Sequence, residues 1–188
     1  MKDLNELPQY LPVPIDDGAC NHLLGTQLPS ITLKSTSGVS VDVSSIKGLV
    51  VMFVYPMNGS PDAPPMIGWN DIPGARGCTP QSNSYKENYL ILKNFGVKLY
   101  GVSSQPLADQ KEAKSRLKLP FDLLNDSELL LTKALCLPTF KYQESIYIKR
   151  LTLIVENGII KKTYYPVFPA NENVLDVIDW LEHNIRST

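Results

Sequence analysis

The segment IPGARGCTPQ, residues 72–81, places one cysteine, Cys78, between glycine-rich residues and a Thr-Pro pair typical of a helix start. Backbone N–H groups in the first turn of a helix lack partners within the helix, and the positive end of the helix dipole lies there. Both features favour a thiolate, and Gly77 lets the backbone approach a small ligand. The alternative is a small buried side chain without chemistry. The local pattern favours a nucleophilic thiol.

Few other residues could take part in chemistry. The three cysteines, Cys20, Cys78 and Cys136, form neither a CxxC motif nor a disulfide framework. The two histidines, His22 and His183, are expected at the surface. A zinc site would need a cluster of such ligands, which the sequence does not offer. We therefore expect no metal site, and the interpretation favoured below includes no organic cofactor.

Composition limits the classes of function. The chain has 188 residues and is 43% hydrophobic, which suits one domain over residues 1–188, with residues 1–28 as an irregular N-terminal arm. Because 18 basic residues balance 19 acidic ones without a basic stripe, nucleic acid is not expected as a partner. No apolar run is long enough to span a membrane, and no signal-peptide pattern is present. A cytoplasmic location is the resulting expectation.

Apolar runs predict the elements that position Cys78. Leu49–Pro56, LVVMFVYP, reads as a strand buried on both faces. The Pro- and Gly-rich insertion that follows, residues 57–77, is predicted to be a long loop. Apolar residues at helical spacing then predict a helix over Thr79–Phe95, and Val97–Ser104 reads as a second buried strand.

The flanking regions complete the predicted sheet. Short strands are expected at Ile31–Leu33 and Val39–Val43, and a helix, a strand and a helix within residues 107–135. Asn157-Gly158 between two strand-like runs predicts a hairpin, and a terminal helix follows. Strand–helix–strand units imply parallel strands, to which the hairpin adds an antiparallel one. The predicted class is α/β, a thioredoxin-like fold with a central mixed β-sheet flanked by helices on both faces.

GCTPQ, at the head of a helix that follows the LVVMFVYP strand, resembles the peroxiredoxins, in particular the redoxin-type branch called peroxiredoxin Q or bacterioferritin-comigratory protein. The resemblance spans residues 28–184. It implies a thiol peroxidase whose Cys78 attacks a hydroperoxide and becomes a sulfenic acid. It also implies that Arg150 holds the thiolate and binds peroxide oxygen, and that Gln81 orients Arg150. The alternative for Arg150 is a surface position beside Lys149.

The resemblance also implies partners. The substrate would be hydrogen peroxide or an organic hydroperoxide, and electrons would come from an external thiol such as thioredoxin, glutaredoxin or glutathione. A homodimer is left open.

Three positions depart from the family pattern. Ala75 stands where the family has Thr or Ser, Asp71 where it has proline, and Asn83 where some relatives carry the resolving cysteine. Loss of the hydroxyl supports a rival interpretation, a non-catalytic redoxin-fold protein that binds partners or senses redox state. A thiol–disulfide oxidoreductase is a third interpretation, which the missing CxxC disfavours.

A sulfenic acid must be resolved by a second thiol or it oxidises further. We order the routes as an external thiol first, then Cys20 in an arm expected to be mobile. Cys136 comes last, because its apolar neighbours Leu135 and Leu137 suggest an inert core thiol.

Two further alternatives concern the surroundings of the thiol. Pro138, in LPTF, resembles the cis-proline segment of thioredoxins and would displace Arg150 if it lay beside Cys78; we prefer Arg150 because a strand, a hairpin and a helix follow it directly. Met57, Met66 and Trp69 could line a pocket for an organic peroxide. The favoured interpretation is that they hold the insertion to the surface.

Overall fold

A mixed sheet of seven strands forms the centre of the protein. The computed structural model describes residues 4, 6–63 and 66–185. The strands in chain order are β1 Thr32–Ser35, β2 Ser40–Asp42, β3 Leu49–Val54, β4 Lys98–Ser103, β5 Asp122–Asn125, β6 Thr139–Tyr142, β7 Ser145–Ile148, β8 Leu151–Glu156 and β9 Ile159–Tyr164. The sheet has the order β2-β1-β5-β4-β3-β8-β9, and β6 and β7 pair separately. The central mixed sheet expected from the sequence is confirmed.

Parallel and antiparallel pairs fall where the connections require them. β3, β4 and β5 pair in parallel through helical crossovers, whereas β8 lies antiparallel to β3 and β9 antiparallel to β8. Asn157 and Gly158 have φ angles of 49° and 82°, so the Asn-Gly turn joins β8 and β9 as predicted. β3 therefore lies between β4 and β8 in the sheet interior, and the chain leaving it enters the insertion.

Helices cover the two faces unequally. They are α1 Cys78–Glu87, α2 Tyr89–Asn94, α3 Leu107–Leu117, α4 Leu130–Ala134 and α5 Asn173–Ile185. Alternate residues of β3 point to opposite faces, as strand geometry requires. Val51 and Phe53 join a core cluster with residues of α1, α2 and α5, whereas Val50 and Met52 join one with Leu131 of α4.

Two local predictions need correction. The helix expected over Thr79–Phe95 divides into α1 and α2, because Asn88 leaves helical geometry with φ −96° and ψ 7°. The side-chain amide of Asn88 donates to the Ser84 carbonyl at 2.9 Å and so ends the first helix. The β6–β7 hairpin was not predicted, although the alternating TFKY and SIYI around Gln143 are a hairpin pattern.

Part of the N-terminal region, which was expected to be a mobile arm, packs against the core. From residue 6 to residue 28 it forms turns and one isolated bridge, Gln27 with Ile159. Leu23 and Leu28 are buried in the core cluster that contains α4. The stretch around Cys20 is therefore packed into the core, whereas Tyr10, Val13 and Ile15 nearer the N-terminus are exposed.

Candidate active site

Cys78 lies at the first residue of α1, beneath the insertion that follows β3. Gly77 caps the helix with φ 113°, a left-handed conformation that favours glycine. The thiol is buried, with 3% of the residue exposed, and Sγ lies 3.6 Å from the Ala75 carbonyl oxygen. Its position at a helix start follows the sequence prediction. Its burial limits water at the sulfur.

Arg150 reaches Cys78 from the other side of the site. It lies between β7 and β8, is 3% exposed, and donates from Nη2 to Cys78 Sγ at 3.1 Å. Its guanidinium also donates to the carbonyl oxygens of Gly74 at 3.3 Å, Ala75 at 3.2 Å and Arg76 at 3.4 Å. A buried cation with a planar set of donors thus holds both the thiol and the loop before it. The surface position considered for Arg150 is wrong.

The structure also decides whether Pro138 or Arg150 lies beside Cys78. The cis peptide bonds of the described residues precede Pro166 and Pro169, so Pro138 does not provide the cis-proline considered above. Its carbonyl instead accepts from the Lys149 backbone N–H at 2.8 Å. Arg150, not Pro138, contacts the thiol.

Gln81 connects the helix to the arginine. It is fully buried one turn into α1, and its Oε1 accepts a hydrogen bond from Arg150 Nη1. Its backbone N–H donates to the Gly77 carbonyl at 3.0 Å, the first helical bond of α1. The structure thus brings together Cys78, Arg150 and Gln81, the three residues predicted to act.

A cavity of about 530 Å³ opens onto Cys78. Met57, Met66 and Trp69 of the insertion line it, as does Ala75. Trp69 is also 7% exposed and packs its ring against the aromatic rings of the β6–β7 hairpin, Phe140, Tyr142 and Tyr147. For Trp69 the two roles considered therefore coexist, because the residue that packs the insertion against the hairpin also lines the cavity.

Residues near the N-terminus also line the cavity, which no local pattern predicted. Leu4, Glu6, Leu7 and Pro8 line the cavity, although they lie about 70 positions from Cys78 in the chain. Arg76 Nη2 donates to the Glu6 carbonyl oxygen at 3.0 Å and so ties this segment to the cysteine loop. The cavity is mostly apolar, and Arg150 meets it only through Cys78, to which its Nη2 donates.

Tyr55, which follows β3, belongs to the same core cluster as Cys78. Burial raises the pKa of Tyr55 well above its usual value, so the phenol stays protonated at neutral pH. Tyr55 therefore adds no negative charge to the core cluster that contains Cys78.

Cys20 lies in a different environment from Cys78. It is 6% exposed and packs in the α4-side core cluster, on the opposite face of the sheet from the cluster that contains Cys78. Burial, followed by the nearby charges of Asp17 and Asp16, raises the pKa of the Cys20 thiol to about 12. Cys20 is therefore protonated at neutral pH, and it would have to leave the core to meet Cys78.

Cys136 was expected to be an inert core thiol, and this is wrong. It follows α4 with φ 49° and is exposed, whereas Leu135 and Leu137 on either side are buried. The left-handed backbone turns this one side chain outward. Cys136 is thus accessible to solvent thiols, although it does not line the Cys78 cavity.

The fold and this site define a thioredoxin-like protein with a buried cysteine–arginine pair at a helix start. The redoxin family model matches residues 23–178, and the chain belongs to this family. The similarity to the peroxiredoxin Q branch is also confirmed. The chloroplastic peroxiredoxin Q of Oryza sativa subsp. japonica is 26% identical over 159 residues, which cover 84% of this chain and 66% of the relative. This chain thus spans slightly under two thirds of that protein.

Solved structures agree on the fold. The peroxidoxin BcpB of Mycobacterium tuberculosis superposes with a TM-score of 0.70 at 16% identity, over 86% of this chain and 97% of that one. The bacterioferritin comigratory protein of Xanthomonas campestris superposes with a TM-score of 0.67 at 14% identity, over 94% and 99% of the two chains. The thioredoxin-like fold is therefore shared with peroxiredoxins of this type.

Proposed function

We propose that the protein is a thiol-dependent peroxidase that reduces hydrogen peroxide or organic hydroperoxides at Cys78. The thiolate attacks the outer oxygen of ROOH, an S–O bond forms and the O–O bond breaks. The sulfur gives two electrons and becomes Cys78–SOH, and RO⁻ takes a proton and leaves as ROH. Membership of the redoxin family supports this reaction, as does the alkyl peroxide reduction activity described for the Xanthomonas campestris relative.

The contact between Arg150 Nη2 and Cys78 Sγ, 3.1 Å long and buried, carries the proposal. A fixed cation there stabilises the thiolate before attack and the negative charge on the oxygens during attack. The backbone N–H groups at the start of α1 point to the same region and add their dipoles. Because these groups are already in place, little reorganisation is needed when charge develops.

The cavity determines which peroxides can reach the sulfur. Its wall of Met57, Met66 and Trp69 with Leu4 and Leu7 is apolar, so an organic group can be buried there while the O–O bond meets Cys78. We therefore include organic hydroperoxides among the substrates.

Reduction of the sulfenic acid needs an external thiol, such as thioredoxin, glutaredoxin or glutathione. The first thiol condenses with Cys78–SOH to give a mixed disulfide and water, and a second releases Cys78 as a thiol.

Among the described residues no helix is long and apolar enough to cross a membrane. A cytoplasmic location and a homodimer stay predictions from the sequence.

The direct test mixes the reduced protein with hydrogen peroxide and, separately, with cumene hydroperoxide in a stopped-flow instrument. We expect both to be consumed, and mass spectrometry to place one added oxygen on Cys78. The matched control is Cys136→Ser, which removes the exposed thiol and should react like the wild type.

Two outcomes would count against this function. Oxygen on Cys136 or Cys20 but not on Cys78 would mean that the site is wrong. No peroxide consumption would favour the rival, a redoxin-fold protein that binds a partner or senses redox state. Ala75, which puts no hydroxyl beside the thiol, is the observation that favours this rival.

A second prediction concerns the product after one equivalent of peroxide without added thiol. We expect a sulfenic acid on Cys78 and no disulfide, because Cys20 is buried on the far face of the sheet and Cys136 lies outside the cavity. Peptide mapping after trapping with dimedone checks this. A Cys20–Cys78 link would require the N-terminal region to leave the core, and a Cys78–Cys136 link, within one chain or between two, would show a two-cysteine mechanism.

A further inference from the structure

During the reaction at Cys78 the leaving oxygen needs a hydrogen-bond donor. Arg150 has few N–H donors that are not already in use. The five contacts already described engage four of its five N–H groups with the thiol, Gln81 and three carbonyl oxygens, which leaves one N–H of Nη1. Ala75, which forms the wall beside the sulfur, has no donor on its side chain. Another polar group in the cavity would therefore strengthen the site during O–O cleavage.

Thr79 is such a group. It follows Cys78 in α1, lines the same cavity and is 1% exposed. Its hydroxyl Oγ1 is buried and has no hydrogen-bond partner among the residues that the structure describes. A buried hydroxyl without a partner is costly and therefore calls for an explanation.

The other polar side chains of the cavity are less suited to this task. Glu6, Asn70 and Arg76 are more exposed than Thr79, and Arg76 is tied to Glu6. The Ser60 hydroxyl accepts from the Asp62 backbone N–H at 3.4 Å, and Ser60 is less buried than Thr79. Thr79 thus combines burial, an uncommitted hydroxyl and a place in the cavity wall next to Cys78 in the chain.

We propose that the Thr79 hydroxyl donates a hydrogen bond to the peroxide, at the oxygen that leaves as RO⁻. This inference rests on the proposed peroxidase function and assigns a further catalytic residue to it. A hydrogen bond that strengthens as charge builds on this oxygen lowers the barrier to O–O cleavage. Attack of Cys78 on a carbon electrophile has no such leaving oxygen and gains nothing from Thr79.

The test compares Thr79→Val, which keeps the shape and loses the hydroxyl, with Thr79→Ser, which keeps the hydroxyl. We expect the second-order rate constant with hydrogen peroxide to fall about tenfold or more in Thr79→Val, and to stay within about threefold of wild type in Thr79→Ser; tenfold corresponds to about 1.4 kcal/mol. The rate of alkylation of Cys78 by iodoacetamide should stay unchanged in both variants. If the valine variant does not fold, Thr79→Ala, which adds no atoms, replaces it.

The outcomes separate this inference from the function on which it rests. A wild-type protein that does not consume peroxide overturns the peroxidase function itself. A reactive wild type with an equally reactive Thr79→Val variant overturns only the role of Thr79. Equal losses in peroxide reduction and alkylation also overturn it, because they would show that Thr79 acts on the thiol or the helix and not on the leaving oxygen.

Discussion

Replacing Arg150 with lysine is expected to slow the reaction of Cys78 with peroxide tenfold or more. Lysine keeps the positive charge but has no planar fork, so it cannot hold Cys78 Sγ, Gln81 Oε1 and the loop carbonyls together. Tenfold corresponds to about 1.4 kcal/mol of lost transition-state stabilisation. Arg150→Gln, which also loses the charge, should lose more. Stopped-flow rates with hydrogen peroxide measure both.

Lys149 provides the matched control. It neighbours Arg150 in the chain, but its Nζ contacts Asp17 at 2.9 Å and Tyr165 at 3.4 Å, not the thiol. Lys149→Gln should therefore leave the peroxide rate within about threefold of wild type, the effect of a partly exposed charge outside the site. An Arg150→Lys variant as fast as wild type would mean that charge alone suffices and that the fork geometry has no catalytic role.

Gly77→Ala is expected to lower the free energy of unfolding by about 2–5 kcal/mol. A side chain at φ 113° is strained, for which we take about 1–2 kcal/mol. The added Cβ would also lie 2.9 Å from Ala170 Cβ and 3.0 Å from Leu7 Cδ2, and crowding in a packed site costs about 1–3 kcal/mol. Denaturant unfolding of the reduced protein measures the difference.

Gly96→Ala separates the two contributions. Gly96 also has a positive φ, 75°, but an added Cβ would meet no atom of the described residues within 4 Å. Its cost should therefore be the conformational part alone, about 1–2 kcal/mol. Equal losses in the two variants would show that Ala170 and Leu7 give way to a methyl group at position 77 without cost. A larger loss in Gly77→Ala, accompanied by slower peroxide reduction, is the expected result.

Much of the fold could be predicted because its signals are local. The buried runs of β3 and β4, the Asn-Gly turn and the apolar face of α5 each depend on residues a few positions apart. The start of α1 at Cys78 is also local, because a glycine in the left-handed region and a proline in the first turn specify it together. The break at Asn88 was missed, because helical periodicity continues through it.

The site itself could be predicted only in part. Cys78 stood out by its position in the sequence, whereas Arg150 and Gln81 entered through the family resemblance. Seventy-two positions separate Arg150 from Cys78, and only the antiparallel pairing of β8 with β3 brings the two side chains to 3.1 Å. Thr79 was not singled out, because neither its burial nor its lack of a partner can be read from residue types.

The sequence by itself determined the α/β class, the parallel β3–β4–β5 unit and a thiol at a helix start, because periodicity and turn residues act over short distances. Only the tertiary structure decided the environments of the three thiols. The left-handed backbone at Cys136 turns it out between two buried leucines, and the packing of Leu23 and Leu28 carries Cys20 into the core. The tertiary structure also placed the insertion and residues 6–8 in the wall of the cavity at Cys78. Burial and cavity shape depend on contacts between segments distant in the chain, which no local pattern records.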